Sequence, residues 1–127
     1  MLTFHLRPPP PLISLLPTKR LGTLEYMAPE IFRCKAYGPE VDCWAVGVLT
    51  YECLFNRVPW ELDASHGVSY KDWATHILAA RLKFDSSRHQ RVISAEARDF
   101  ISSCLDVDPR SRLTVQQMLL HPWIQKK

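Results

Sequence analysis

The sequence lacks the features that mark several classes of protein. None of its apolar stretches approaches the length of about 18 residues that a membrane-spanning helix needs, so no membrane span is predicted. Its four cysteines form no Cys-x-x-Cys pair and its five histidines show no His-x-x-x-His spacing, so no metal site is predicted. Three of the cysteines lie among apolar residues, which is typical of free thiols in a reducing compartment. We therefore expect an intracellular protein, cytoplasmic or nuclear.

The positive charge of the chain is small and confined to one end. The chain has 16 Lys and Arg against 13 Asp and Glu, and Arg7, Lys19 and Arg20 account for the net charge of +3. The sequence from Leu21 onward is electrically neutral. A neutral body does not supply the basic surface that binds a phosphate backbone, so no nucleic-acid partner is predicted.

The first 20 residues form a proline-rich leader. Residues 8–11 are four consecutive prolines and Pro17 follows. Proline fixes φ and lacks a backbone donor, so residues 1–20 are predicted to be extended and unstructured. The Pro-x-x-P spacing of Pro8 and Pro11 also allows an SH3-type partner, although Arg7 has no proline pair at the spacing that such grooves prefer.

A central helix is predicted over residues 41–55. Pro39 can open it, because the missing N–H of proline costs nothing at a helix start. The residues that follow are apolar on almost every side, with Gly47 in the middle. Such a helix is normally buried on every side.

Other helical patterns fill most of residues 21–127, and no run of alternating apolar and polar residues occurs. Ser94 is a predicted cap, and Thr114 with Gln117 forms a predicted capping box. The fold class is therefore mainly α with four or five helices. The further predicted helices run from residue 69 or 70 to about 82, from Ser94 to about 105, and from 115 to about 120.

Four motifs follow one another in the neutral part of the chain. They are GTLEYMAPE at residues 22–30, DCWAVG at 42–47, DPRSR at 108–112 and HPW at 121–123. In this order and spacing they resemble the C-terminal lobe of eukaryotic serine/threonine protein kinases, most closely the calmodulin-dependent-kinase-like group. The resemblance implies that residues 21–127 form the helical C-lobe of a partial kinase domain, whose complete form phosphorylates Ser or Thr in proteins.

The resemblance gives structural roles to five residues. Glu30 and Arg112 match a glutamate and a buried arginine that pair in the family, and a guanidinium can hold a carboxylate by two parallel bonds. Asp42 matches the aspartate that holds the backbone of the catalytic loop, although it could simply stabilise a helix start. Trp44 and Gly47 belong to the same motif and are structural positions.

Three residues match substrate-docking positions of the family. Thr23 matches the threonine that lines the site for the residue after the phosphoacceptor. Glu25 and Glu52 match acids that meet substrate arginines in basophilic kinases. Glu52 is the more informative, because a glutamate in an apolar helix needs a partner. Glu25 could equally be an ordinary surface charge, and Glu52 could be structural.

The family's catalytic motifs are missing from this sequence. The four glycines form no Gly-x-Gly, and His-Arg-Asp and Asp-Phe-Gly do not occur. No catalytic residue is predicted, ATP and Mg²⁺ are implied only for the complete domain, and the chain is expected to be inactive alone. Apolar surface such as Trp44 or Val48 is then expected to be uncovered.

Two other interpretations remain open. A non-catalytic binding module could hold a protein substrate or a regulatory protein on the docking surface, or a partner on the proline leader. An unrelated helical scaffold is the third, and four ordered motifs argue against it.

One departure from the family concerns a turn: NRVPW, at residues 56–60, replaces the commoner Gly-x-x-Pro-Phe after the central helix.

Overall fold

The computed structural model describes residues 21–32, 37–60, 70–79, 81–84 and 92–126. Within these ranges the chain forms six α-helices and one 3₁₀ helix, and no β-strand. The predicted mainly α class is confirmed. The proline-rich leader and its Pro8–Pro11 motif lie outside the described residues.

The connections between helices that are fully described range from one residue, at position 121, to ten residues, at 105–114. The 3₁₀ helix spans Leu21–Tyr26, and the α-helices are α1 at Pro29–Phe32, α2 at Glu40–Phe55, α3 at Tyr70–Ala79, α4 at Ala95–Cys104, α5 at Val115–Leu120 and α6 at Pro122–Gln125. None of them is long and apolar enough to cross a membrane.

Two helices differ from the sequence-based expectation because of their length. α1 and α6 have four residues each, and both begin with a proline. One turn is too short to show an apolar periodicity, so neither was predicted. The predicted extension of α3 to about residue 82 is wrong, since Leu82 lies in a non-helical segment.

The helix starts confirm the predicted caps. The Ser94 side chain accepts a hydrogen bond from the Ala97 amide at 3.1 Å. The Thr114 hydroxyl accepts from the Gln117 amide at 3.2 Å, and the Gln117 side chain accepts from the Thr114 amide at 2.9 Å. These bonds satisfy amides that have no partner inside the helix, and they fix where α4 and α5 begin.

α2 and α4 form the centre of the core. One side of α2 is buried, and it packs against the buried side of α4. A Cβ atom at Gly47 would lie 2.7 Å from the Cβ of Cys104, so the two helices approach more closely than a larger residue would permit. The buried side chains of α2 are Cys43, Trp44, Val48, Tyr51 and Phe55, and those of α4 are Ala97, Phe100, Ile101 and Cys104.

The burial of side chains along α2 differs from two expectations. Val46 is 40% exposed and Leu49 is 53% exposed, so α2 is not buried on every side. Trp44 and Val48 were expected to be uncovered, yet both are fully buried. The reason is that α4 and the segments after α2 and α4 supply their neighbours from within this chain.

Aromatic side chains close one end of this core. Tyr51 stacks on Phe55 with ring centroids 4.4 Å apart, and Phe84 lies against both rings. The Tyr51 hydroxyl donates to the Lys83 carbonyl at 2.7 Å, which ties residues 81–84 to α2. The phenol thus buries its ring and still finds a hydrogen-bond acceptor.

Candidate functional site

Glu30 and Arg112 form a two-pronged ion pair although 82 positions separate them in the chain. Arg112 Nη1 donates to Glu30 Oε1 at 2.6 Å, and Nη2 donates to Oε2 at 3.1 Å. Both residues are buried. The structure therefore brings together the two side chains that the sequence motifs pair.

Arg112 also binds two backbone carbonyls. Its Nη1 donates to the Glu40 carbonyl at 2.9 Å, and its Nε donates to the Asp106 carbonyl at 3.0 Å. A buried guanidinium is tolerated only when its donors are satisfied, and these contacts satisfy most of them. The arginine thereby connects α1, the start of α2 and the turn after α4. Sequence reasoning missed the two carbonyls, because a backbone acceptor has no residue signature.

The turn that presents Arg112 is built by aspartates. Asp108 Oδ1 accepts from the Arg110 amide at 3.0 Å, and the Arg112 amide donates to the Asp108 carbonyl at 3.1 Å. Asp106 Oδ1 accepts in turn from the Asp108 amide at 3.0 Å. Hydrogen bonds from the Arg110 side chain and amide hold the pKa of Asp108 below its ordinary value. The carboxylate therefore stays ionised and keeps the turn in place.

Trp44 contacts both Arg112 and a second tryptophan. The Arg112 guanidinium carbon is 5.1 Å from the Trp44 ring centroid, within cation–π range. Trp60 stacks on Trp44 with centroids 5.4 Å apart and planes 9° apart. The buried indole thus supports the guanidinium that holds Glu30.

Asp42 and Gly47 occupy two different environments on α2. Asp42 is exposed in the first turn, near the positive end of the helix dipole. This position suits the alternative of helix-start stabilisation. Gly47 lies at the close approach of α2 to α4, which suits a structural role.

The three predicted docking residues lie on two helices that touch. Thr23 and Glu25 belong to the 3₁₀ helix, which contacts α2. Glu52 lies on the last turn of α2 and is half-buried. Within the described ranges its carboxylate has no hydrogen-bond or ion-pair partner. The Thr23 side chain is outside the described part of the molecule.

His121 makes a second polar connection, which sequence reasoning did not assign. Its Nε2 lies 2.8 Å from Asp99 Oδ2, and its Nδ1 accepts from the Trp123 amide at 3.1 Å. The imidazole therefore ties α4 to the start of α6. The HPW motif marks His121 as a position of interest, but its partner Asp99 lies outside the four motifs.

Known proteins resemble the chain along most of its length. Residues 9–124 match the family model of the protein kinase domain. The calcium/calmodulin-dependent protein kinase cmkB of Emericella nidulans is 40% identical over 107 residues, which are 84% of this chain and 25% of that protein. The calcium/calmodulin-dependent protein kinase type I of Schizosaccharomyces pombe is 42% identical over 106 residues, covering 84% of this chain and 30% of that protein.

Aurora kinases are comparably similar. The Aurora kinase of Schizosaccharomyces pombe is 38% identical over 109 residues, which are 86% of this chain and 28% of that protein. The predicted resemblance to the calmodulin-dependent-kinase-like group and the predicted partial, helical domain are confirmed. The chain spans only about a quarter of the length of these curated relatives.

Proposed function

The chain belongs to the protein kinase family, and from that premise we propose that the complete domain containing it is a serine/threonine kinase. Such an enzyme transfers the γ-phosphoryl group of ATP to a Ser or Thr hydroxyl of a protein. The observation that carries this proposal is the Glu30–Arg112 pair, which fastens the segment after the 3₁₀ helix to the core. The 3₁₀ helix carries two of the three docking residues and rests on α2, which carries the third.

These residues act by binding and orienting the substrate. Glu52 would receive an arginine that precedes the phosphoacceptor, because its half-buried carboxylate has no partner among the described residues. Glu25 would add a second carboxylate to the same groove, and Thr23 would line the position after the phosphoacceptor. Charge-assisted hydrogen bonds are roughly twice as strong as neutral ones, so such a groove selects Arg or Lys.

We propose that the residues of this chain do not themselves form a site for Mg-ATP. No three His, Cys, Asp or Glu side chains converge among the described residues, and the sequence has no Gly-x-Gly. We place the ATP and Mg²⁺ site in the rest of the complete domain and propose that this chain alone transfers no phosphate. A purified chain that phosphorylated a basic peptide above a mock preparation would contradict this.

A non-catalytic binding module is the alternative, and it would use the same docking residues or the proline-rich leader. The two proposals differ in the result expected when the rest of a kinase domain is attached. A kinase would phosphorylate the bound peptide, whereas a binding module would only bind it. An intracellular location, cytoplasmic or nuclear, belongs to both. Its support is that Cys43, Cys53 and Cys104 are free thiols.

A chimera tests the docking role directly. Residues 21–127 would replace the matching segment of the Emericella nidulans relative, and the chimera would be profiled against a peptide library. We expect phosphorylation with a preference for Arg or Lys before the target Ser or Thr. Glu52→Gln should weaken that preference at least fivefold, whereas the matched control Glu96→Gln, on α4, should not.

Two outcomes separate the alternatives. A chimera that is folded but inactive, and that still binds arginine peptides, would favour the binding module. An active chimera whose arginine preference is unchanged by Glu52→Gln would assign Glu52 a structural role.

A further inference from the structure

Ser94 combines an exposed position with an arginine three residues before it. Ser94 and Ala95 are exposed, and Val92 is 91% exposed. In the sequence Arg91 precedes Ser94 by three positions. We propose that Ser94 is a phosphorylation site for an arginine-directed serine/threonine kinase. This goes beyond the proposed function, because any kinase with that preference could supply the phosphate.

The other described hydroxyl side chains lack this sequence context. Thr75, Ser102 and Ser111 each have an aspartate three positions earlier, where an acid repels an arginine-reading groove. Thr23 does follow Arg20 by three positions, but it occupies a docking position. The hydroxyl residues of the described ranges with neither Lys nor Arg at that distance are Thr50, Thr75, Ser102, Ser103, Ser111 and Thr114.

Arg98 carries the guanidinium that we infer pairs with a phosphate on Ser94. Arg98 follows Ser94 by four positions, which places it one turn further along α4. The Arg98 side chain lies over the Phe84 ring, 5.4 Å from its centroid, and no carboxylate of the described residues pairs with it. Arg98 also lines an open cavity of about 460 Å³, together with Ile93, Ala95, Asp99 and Ser102. The cavity is bordered by both chain neighbours of Ser94 and has room for a phosphate.

The nearby acids do not oppose this arrangement strongly, because each has a partner. Glu96 Oε2 lies 3.2 Å from Lys126 Nζ, and Asp99 Oδ2 lies 2.8 Å from His121 Nε2. Arg98 is therefore left as the charged group available to the phosphate on this turn of α4.

The chemical step is phosphoryl transfer from ATP. Ser94 Oγ forms a bond to the γ-phosphorus, the bond from that phosphorus to the β,γ-bridging oxygen breaks, and ADP leaves. The hydroxyl proton passes to the base of the modifying kinase. Ser94 Oγ already accepts from the Ala97 amide at 3.1 Å, and phosphate oxygens can accept the same bond with more negative charge. We expect the modification to raise the midpoint of thermal unfolding.

Phosphosite mapping by mass spectrometry tests the proposal on the full 127-residue chain. The chain would be incubated with a purified arginine-directed kinase and Mg-ATP. We expect phosphate on Ser94, at least a tenfold lower rate for Arg91→Ala, and no change for Ser103→Ala, a serine on the same helix that does not line the cavity. Ser94→Asn should lose the site while remaining folded, because Asn is as good an N-cap as Ser.

The same samples show what would overturn the inference. Phosphate found only at other residues, such as Ser86 after Lys83, would reject Ser94 as the site. An unchanged rate for Arg91→Ala would reject arginine recognition. A midpoint of unfolding that falls on phosphorylation, compared with Ser94→Asn treated identically, would reject the pairing with Arg98.

Discussion

Gly47 of α2 faces Cys104 of α4 at a distance that leaves no space for a methyl group. A Cβ at position 47 would lie 2.7 Å from the Cys104 Cβ and 2.9 Å from the Leu105 Cδ2. Together the two helices contribute most of the buried side chains of the core, so neither can move away without disturbing other buried contacts. The requirement at position 47 is therefore steric.

Gly47→Ala is expected to destabilise the protein. Overpacking of a close-packed core costs about 1–3 kcal/mol, and helix propensity returns only part of that in favour of Ala. Urea unfolding measures the difference. Gly38→Ala is the matched control, since a Cβ there would meet only the end of the Glu40 side chain, which can rotate away. Equal losses for the two variants would contradict the steric explanation.

Removal of one member of the buried Glu30–Arg112 pair should be strongly destabilising. Arg112→Met leaves the Glu30 carboxylate buried and unpaired and abandons two backbone carbonyls, so we expect a loss of about 3–5 kcal/mol. Thermal or urea unfolding of the variant provides the measurement.

The exposed pair Arg110–Asp108 serves as the control for that experiment. The Arg110 side chain is 89% exposed, and exposed ion pairs contribute only about 0–1 kcal/mol. A comparable loss for Arg110→Ala and Arg112→Met would show that burial of the guanidinium is not the decisive factor.

Asn56 is the only described residue other than glycine with a positive φ. Its φ is 57° and its ψ is 28°, and its amide donates to the Glu52 carbonyl at 2.7 Å to end α2. Asn tolerates this left-handed conformation better than Ala does, and Gly adopts it freely. Asn56→Ala should therefore cost about 1 kcal/mol, whereas Asn56→Gly should be neutral or slightly stabilising in urea unfolding. A stabilised Asn56→Ala would contradict the assignment.

Sequence reasoning located α2 well because its signal is long and its start is marked. The same sequence could not tell which side of α2 is covered, since Val46 and Leu49 are as apolar as Val48. Coverage depends on where α4 and the segment around Trp60 pack, and this is a tertiary property. For this reason the prediction of burial on every side was wrong.

The part of the candidate site that consists of side chains in the motifs could be predicted from the sequence. Glu30 and Arg112 stand in motifs that pair in the family, and the structure places them in contact. The Glu40 and Asp106 carbonyls and the His121–Asp99 contact depend on backbone position and helix packing. The two carbonyls have no residue signature, and the HPW motif marks His121 without indicating Asp99 as its partner.

The buried thiol of Cys104 should make the free energy of unfolding depend on pH in the alkaline range. Burial raises the pKa of Cys104 from 9.0 to about 12, with a smaller contribution from Cys43. Below pH 9 the thiol is neutral in both the folded and the unfolded chain, and its contribution to stability is fully present. As pH rises from 9 towards 12, the unfolded chain releases the proton and the folded chain keeps it, so the free energy of unfolding falls.

Cys104→Ala should flatten that dependence, although it also lowers stability at neutral pH by removing a buried side chain. The measurement is the slope of urea unfolding free energy against pH from 8.5 to 11 for both proteins. Cys53→Ala is the matched control, because it removes a thiol that is exposed rather than buried. A slope that persists in Cys104→Ala but disappears in Cys53→Ala would contradict the assignment to Cys104.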